Sequence, residues 1–255
     1  AADPSEKAKI ASMRKIAEVV GADASRTELL RTYDRYHAWL QKLTAKEIRE
    51  IESENDPAKR LELIRQRKQQ QNQERFELIL KGDNLKVLLT REDYRAYVDW
   101  LVEFVAAHEE KFMSSVATDD VMRKRIERVT EPRRRRLWLY ALYVQKVGEA
   151  NAIVPSRDDY VNLTSRLSEE AKKQFSAVEL DEEQRRQLLK ALRDAWLRAS
   201  YSPPPSEKDL ADILASLKPE ERAKLERLKQ IDLRRELVER YEKLQEEKRR
   251  ERSTR

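Results

Sequence analysis

The chain contains no cysteine, and only three glycines and two histidines among its 255 residues. Without a thiol there can be no disulfide, no thiolate metal site and no cysteine nucleophile. Gly21, Gly82 and Gly148 are isolated, so neither a Gly-x-Gly-x-x-Gly turn nor a P-loop can be written. The strained Gly-x-Ser-x-Gly elbow of serine hydrolases is missing as well. The longest purely apolar run, Leu137 to Val144, falls far short of the roughly 18 residues a membrane-spanning helix needs. With 40% charged residues and so little glycine, the composition favours helix and disfavours sheet. Apolar residues still make up 39% of the chain and recur at helical spacing, which a solvated coil would not require. The fold class is therefore all-α: an irregular array of about 12–13 helices without a sheet.

A repeated aromatic block stands out. Tyr33-x-x-Tyr36-x-x-Trp39-Leu40 recurs 61 residues later as Tyr94-x-x-Tyr97-x-x-Trp100-Leu101, and Trp138 and Trp196 are also each followed by leucine. At about 100° per residue the two tyrosines and the leucine share a narrow arc with the tryptophan at its edge. Each block thus reads as one wall of a helix–helix contact, with Tyr33, Tyr36, Trp39, Tyr94, Tyr97, Trp100, Trp138 and Trp196 as packing or interface anchors. The spacing leaves open whether Trp39 and Trp100 close a core or meet a partner.

Helix starts are legible from capping residues. In Leu43-Thr44-x-x-Glu47, Thr44 and Glu47 can cap each other's backbone while Leu43 packs on Ile48. Leu89-Thr90-x-x-Asp93 repeats the pattern, and Leu180-Asp181-x-x-Gln184 and Leu167-Ser168-Glu169-Glu170 are looser variants. Asp3-Pro4, Asp56-Pro57 and Lys218-Pro219 put proline at the first helical position. These signals predict helices near 4–20, 26–42, 45–54, 57–81, 91–115, 119–130, 132–149, 157–166, 169–178, 182–201, 207–216, 219–230 and 233–250, with each glycine as a left-handed cap after a helix. Residues 148–156 and the run Ser202-Pro203-Pro204-Pro205 read as linkers. The organisation predicted is an N-terminal lobe over 1–116 carrying both aromatic blocks, a second lobe over 117–216, and C-terminal helices over 217–255 ending in a basic, fraying tail. Between Arg65 and Arg75 the helix is polar on all sides, as expected where it projects into solvent or bridges lobes.

The net charge of +6 is unevenly placed, with eight basic residues against two acidic ones between Arg123 and Arg136. Arg133, Arg134, Arg135 and Arg136 follow Pro132 at a helix N-terminus, where each exposed cation opposes the macrodipole by about 0.3–1 kcal/mol. Internal acids could offset this, as could an anionic or other partner, so these four are the candidate anion- or partner-binding residues. The segment that follows, Leu137 to Val144, is apolar all round and reads as a central buried helix. His37 and His108 both project onto an aromatic stripe. Asp34-x-x-His37 has the spacing of one arm of a di-metal bundle, but His108 has no acid one turn away, so no metal and no cofactor are expected.

Leu30-Arg-x-x-x-Arg-Tyr-x-x-Trp-Leu40, then Leu43-Thr44-x-x-Glu47, then Asp56-Pro57-Ala58-x-Arg60-Leu61-x-x-Ile64-Arg65 resemble an uncharacterised helical family of planctomycete bacteria, with Arg31 and Arg35 at its basic positions. The likeness continues through 93–110, 133–143, Leu167-Ser168 and 217–241. It implies an exported protein with an N-terminal signal or anchor, Ala1 being a residue left after cleavage, and it brings no activity or ligand. Leu180-Asp181-x-x-Gln184-Arg185 is similar to the Leu-Thr-x-x-Gln motif of Spy/CpxP-type periplasmic chaperones, with Asp in place of Thr. The expectation is a non-enzymatic scaffold, adaptor or chaperone-like protein of the cell envelope, periplasmic or membrane-anchored, that binds protein partners. The alternatives are a nucleic-acid or polyanion binder using Arg123 to Arg136, and a cytoplasmic location.

Overall fold

The computed structural model describes residues 26–81, 83–117, 120–199 and 203–253, and everything in them that is regular is helical. The expected helix over 4–20, its Asp3-Pro4 start and the caps at Gly21 and Gly82 lie outside the described residues. The chain divides into two compact units, one up to Glu74 and one from Arg75 onward.

The first unit contains α1 (Arg26–Leu40), α2 (Ala45–Ser53) and most of α3 (Pro57–Leu80). Thr44 and Glu47 close the expected capping box, which sets the direction in which α2 leaves the turn. The core is small: Leu40, Leu43 and Ile51 are buried, with Tyr36, Trp39, Ile48, Leu63 and Ile64 packed around them. Leu43 and Ile48 share this cluster as the staple requires. Polar contacts tie α3 to it, through Arg67 on Glu50 at 2.9 Å and the Arg60 Nε–H on the Glu54 carbonyl at 2.9 Å. The boundary between the units falls within the all-polar stretch of α3, after Glu74.

The second unit contains α4 (Asn84–Leu88), α5 (Arg91–Ala107), α6 (Glu109–Val116), α7 (Asp120–Glu127), α8 (Pro132–Val147), a 3-10 turn (Glu149–Asn151), α9 (Arg157–Ser165), α10 (Glu169–Ser176), α11 (Glu182–Ala199), α12 (Glu207–Ser216), α13 (Pro219–Leu225) and α14 (Gln230–Ser253). One core runs from Phe76 to Ala195. It crosses position 117, where the sequence places a lobe boundary, because Phe112 and Val116 of α6 share it with Leu139, Tyr140 and Tyr143 of α8. Ile153 of the expected 148–156 linker packs on the same core. A second cluster joins Leu210, Ile213, Leu225, Leu237, Val238 and Tyr241, with Leu214 and Leu217 packed on it, so the expected boundary at 216/217 runs through that cluster. The proline run at 203–205 lies between the two clusters in sequence, and Arg91 holds it: its N–H donates to the Pro205 carbonyl at 3.2 Å and its guanidinium to Pro204 at 3.3 Å.

Three departures from the expected helices have local causes. The helix expected over 91–115 breaks at His108, whose backbone leaves the helical region (φ −121°, ψ 18°). Its Nδ1 lies 3.0 Å from the Phe104 carbonyl oxygen, which can only accept, so that nitrogen carries the proton. Gly148 ends α8 at φ 77°, ψ 160°; this is extended rather than left-handed helical geometry, and it is a region only glycine enters freely. The C-terminal helix does not stop in the charged tail but continues to Ser253, since Glu, Lys, Gln and Arg are good helix formers. On this helix Arg235 bonds Asp232 at 2.7 Å, and Lys86 of α4 reaches Glu242 at 2.5 Å.

Asp93 lies at the centre of the second unit's polar framework. Its carboxylate is buried and accepts from the Thr90 N–H and hydroxyl at 2.8 and 2.9 Å, and from the Ser168 N–H and hydroxyl at 2.6 and 2.9 Å. Asp93→Ala leaves these donors without an acceptor in a dry site, and the expected loss is at least about 3 kcal/mol in urea unfolding. A loss under about 1 kcal/mol would show that water reaches the site.

Candidate functional site

The four arginines at the start of α8 do not form one free cationic edge. Glu131 caps the helix, accepting the backbone N–H of Arg133 at 3.1 Å and of Arg134 at 2.8 Å. Arg133 pairs with Asp99 of α5. Arg135 and Arg136 both turn to Glu109, the first residue of α6, at 3.0 and 3.5 Å. Arg134 alone is exposed and has no acidic partner. Internal acids thus answer most of the unfavourable charge at this helix end, and they do so by fastening α8 to α5 and α6.

The segment 137–144 is buried on one side only. Leu139, Tyr140 and Tyr143 are inside, Ala141 is exposed, and Trp138 is half-buried with the Arg125 guanidinium 5.9 Å from its ring centre. An apolar run cannot reveal one-sided burial by its period, which is why the sequence read it as buried all round. Trp196 is also half-buried.

The two aromatic blocks, alike in sequence, occupy different environments. In α5, Tyr94, Tyr97, Trp100 and Leu101 are all buried, and the indole N–H of Trp100 donates to the Asp159 carbonyl at 3.0 Å. Rings continue from there as a column: Tyr97 on Trp100 at 6.2 Å, Trp100 on Phe104 at 5.3 Å, Phe104 on His108 at 4.7 Å, and Phe112 against Tyr143 at 4.5 Å. In α1, Tyr33, Tyr36, His37 and Trp39 are only half-buried, and of the block Leu40 alone is fully inside. There Tyr33 lies 4.3 Å from His37 and Tyr36 5.9 Å from Trp39. The Trp39 indole donates to Gln71 at 2.9 Å and Lys68 stands over its ring at 5.5 Å, so a polar rim surrounds the aromatic stripe. Both histidines are ring-packing residues, and among the described residues no group of three or more His, Cys, Asp or Glu could hold a metal ion.

Sequence reading missed two capping boxes of the Ser-x-x-Asp form, Ser156/Asp159 and Ser206/Asp209, although that spacing is their signal. It also missed a partly buried ion cluster in which Arg193 pairs with Glu149 and, at 3.0 Å, with Asp194, beside Tyr140. Burial opposes the charge on Arg193, but the hydrogen bonds it donates to Glu149 and Asp194 outweigh it and hold its pKa above the ordinary range. Two open grooves line the second unit's surface. One, of about 640 Å³, includes Lys86, Arg91, Tyr241, Glu242 and Arg249; the other, of about 560 Å³, includes Arg157, Tyr160, Lys172, Glu179 and Arg185. Both carry charges of either sign. No protein-family model, curated protein or solved structure matches the chain, and among the described residues no helix is long and apolar enough to cross a membrane.

The burial of the α5 and α8 rings can be tested in two ways. Trp100→Ala is expected to cost about 3–5 kcal/mol in urea unfolding, the usual range for a buried large aromatic, while Trp39→Ala costs about 1 kcal/mol, as for a half-exposed side chain. Equal losses from the two variants would contradict the difference in burial. Burial also pushes Tyr94 and Tyr140 up to about 12 and Tyr97 well above its ordinary value. The unfolded chain ionises these phenols near pH 10 and the folded chain does not, so above about 10 the unfolded state binds fewer protons. The stabilisation is complete below that pH and is lost as the pH rises through about 12. Tyrosinate absorbance and helicity, followed in one alkaline titration, should change together; tyrosinate appearing in full at pH 10 with helicity unchanged would refute the burial argument.

Proposed function

We propose that the chain is a non-enzymatic protein-interaction scaffold of the cell envelope, and that its partner contact is made by the half-buried aromatic stripe of α1. One observation carries this reading: the block that α5 buries completely is repeated in α1 with Tyr33, Tyr36 and Trp39 left half-exposed. Large aromatics at the centre of a contact, ringed by polar groups, are what anchored protein interfaces use. Trp39 has such a ring in Gln71 and Lys68. The cell-envelope part of the proposal rests on the likeness of 30–65 to exported planctomycete proteins.

The test is a photo-crosslinking residue placed at Tyr33 in cells of the source organism, with the same residue at exposed Val161 as control. Discrete adducts in the envelope fraction from position 33, and none from 161, are expected. Adducts equal at both positions, or none at 33, would refute the interface; adducts confined to soluble cytoplasm would refute the location.

A further inference from the structure

Once the acids around α8 are assigned, a compact group of cations is left over. On α7 the residues Val121, Lys124, Arg125 and Arg128 fall on one stripe at helical spacing, opposite buried Ile126. The Arg128 N–H donates to the Lys124 carbonyl at 3.0 Å, so the stripe is helical to its end. Arg125 reaches over Trp138 at 5.9 Å, which brings this stripe against α8. Arg134 lies one turn before Trp138 and so on the same side of α8. Lys124, Arg128 and Arg134 are exposed and none pairs with an acid. The acids of α7, Asp120 and Glu127, lie one turn to either side of Lys124 at the edge of the stripe, and neither forms an ion pair with it.

Val121 stands among these cations and is 78% exposed, more than any other large hydrophobic residue among those described. A nucleic-acid backbone would satisfy the cations but offer nothing to an isolated valine. It would also find the face of Trp138 covered by Arg125 and closed to base stacking. An anionic bilayer surface answers both features, because headgroup phosphates meet the cations while the apolar side chain enters the headgroup boundary.

We propose that this face docks on an anionic lipid surface, with Lys124, Arg125, Arg128 and Arg134 on headgroup phosphates and Val121 set among them. The face lies on the surface, and among the described residues no helix spans it. Each cation near such a surface is worth about fivefold in partition, and screening weakens the attraction once the Debye length falls to about 10 Å near 0.1 M salt.

The experiment is flotation of the full chain with vesicles of phosphatidylcholine alone or of equal parts phosphatidylglycerol and phosphatidylcholine, at low and at raised salt. Retention is expected on the anionic vesicles only, falling with salt. Lys124→Gln with Arg128→Gln should weaken it about thirtyfold and Arg134→Gln about fivefold. Arg227→Gln with Lys229→Gln, which removes the same charge from exposed positions elsewhere, should leave it unchanged. If the double variant loses helicity, Arg134→Gln and Val121→Ser decide the matter. The proposal fails if nothing is retained, if neutral vesicles retain as much, if the control pair matters equally, or if a labelled duplex or single strand binds more tightly and with the same variant sensitivity.

Discussion

Asp93 is 1% exposed, and its side chain accepts hydrogen bonds from two residues 78 positions apart, Thr90 at the start of α5 and Ser168 at the start of α10. A carboxylate withdrawn from water must regain its solvation from the protein, and here the donors are helix N-termini. The dipole at each terminus favours an anion, so one side chain satisfies both ends. The same residue supplies the acidic half of α5's own capping box, so α5 cannot begin correctly without also fixing where α10 begins. Ser168 makes no side-chain cap on its own helix because its hydroxyl is committed to Asp93. Arg91, the first residue of α5, holds the carbonyls of Pro204 and Pro205 and lies 3.3 Å from the Tyr241 hydroxyl, which links the large core to the C-terminal cluster. Much of the second unit is thereby registered from one end of one helix.

The rest of α5 is positioned by its rings. Placing Trp100 between Tyr97 and Phe104, and Phe112 against Tyr143, leaves little freedom in how α5, α6 and α8 meet, since stacked and edge-on rings pack well over a narrow range of offsets. The Asp99–Arg133 pair and the hold of Glu109 on Arg135 and Arg136 lie along the same contact. Surface ion pairs add little stability on their own. Their effect here is on specificity, because a different register of α8 would leave four adjacent arginines at a helix N-terminus with only Glu131 to answer them.

Residues that act locally were legible in the sequence, and those that act at a distance were not. The boxes at Thr44/Glu47 and Thr90/Asp93 form as spelled, because a cap is a contact between residues three apart. Nothing in the spacing of Leu167-Ser168-Glu169 announces that Ser168 bonds a residue 75 positions earlier. The clusters that join Phe112 to α8 and Leu214 to Leu237 are equally non-local, so no local signal marks them across positions 116/117 and 216/217. The aromatic blocks were a subtler case, since the signal that separates them was present. After Leu40 come Gln41 and Lys42, whereas Leu101 is followed by Val102, Phe104 and Val105, so α5 carries its apolar stripe a further turn into the core and α1 ends. The octapeptides share two tyrosines, the tryptophan and the leucine, and their continuations differ as their burial does.

That difference bears on why so charged a chain keeps a half-exposed aromatic face. In the second unit the large rings of the core other than Trp138, Tyr160 and Trp196 are buried, and that burial raises the pKa values of Tyr94, Tyr97 and Tyr140. The first unit has a core of only three fully buried residues in its described part, too few to close over Tyr33, Tyr36 and Trp39. Charge on the surrounding surface keeps such a stripe soluble, while Gln71 and Lys68 give the Trp39 indole polar company without covering it. A side chain in that state gains from further burial, whereas Trp100, already enclosed, has none left to gain. Two copies of one sequence block thus differ in the free energy still available to them, and that difference is the physical basis of the partner contact proposed for α1.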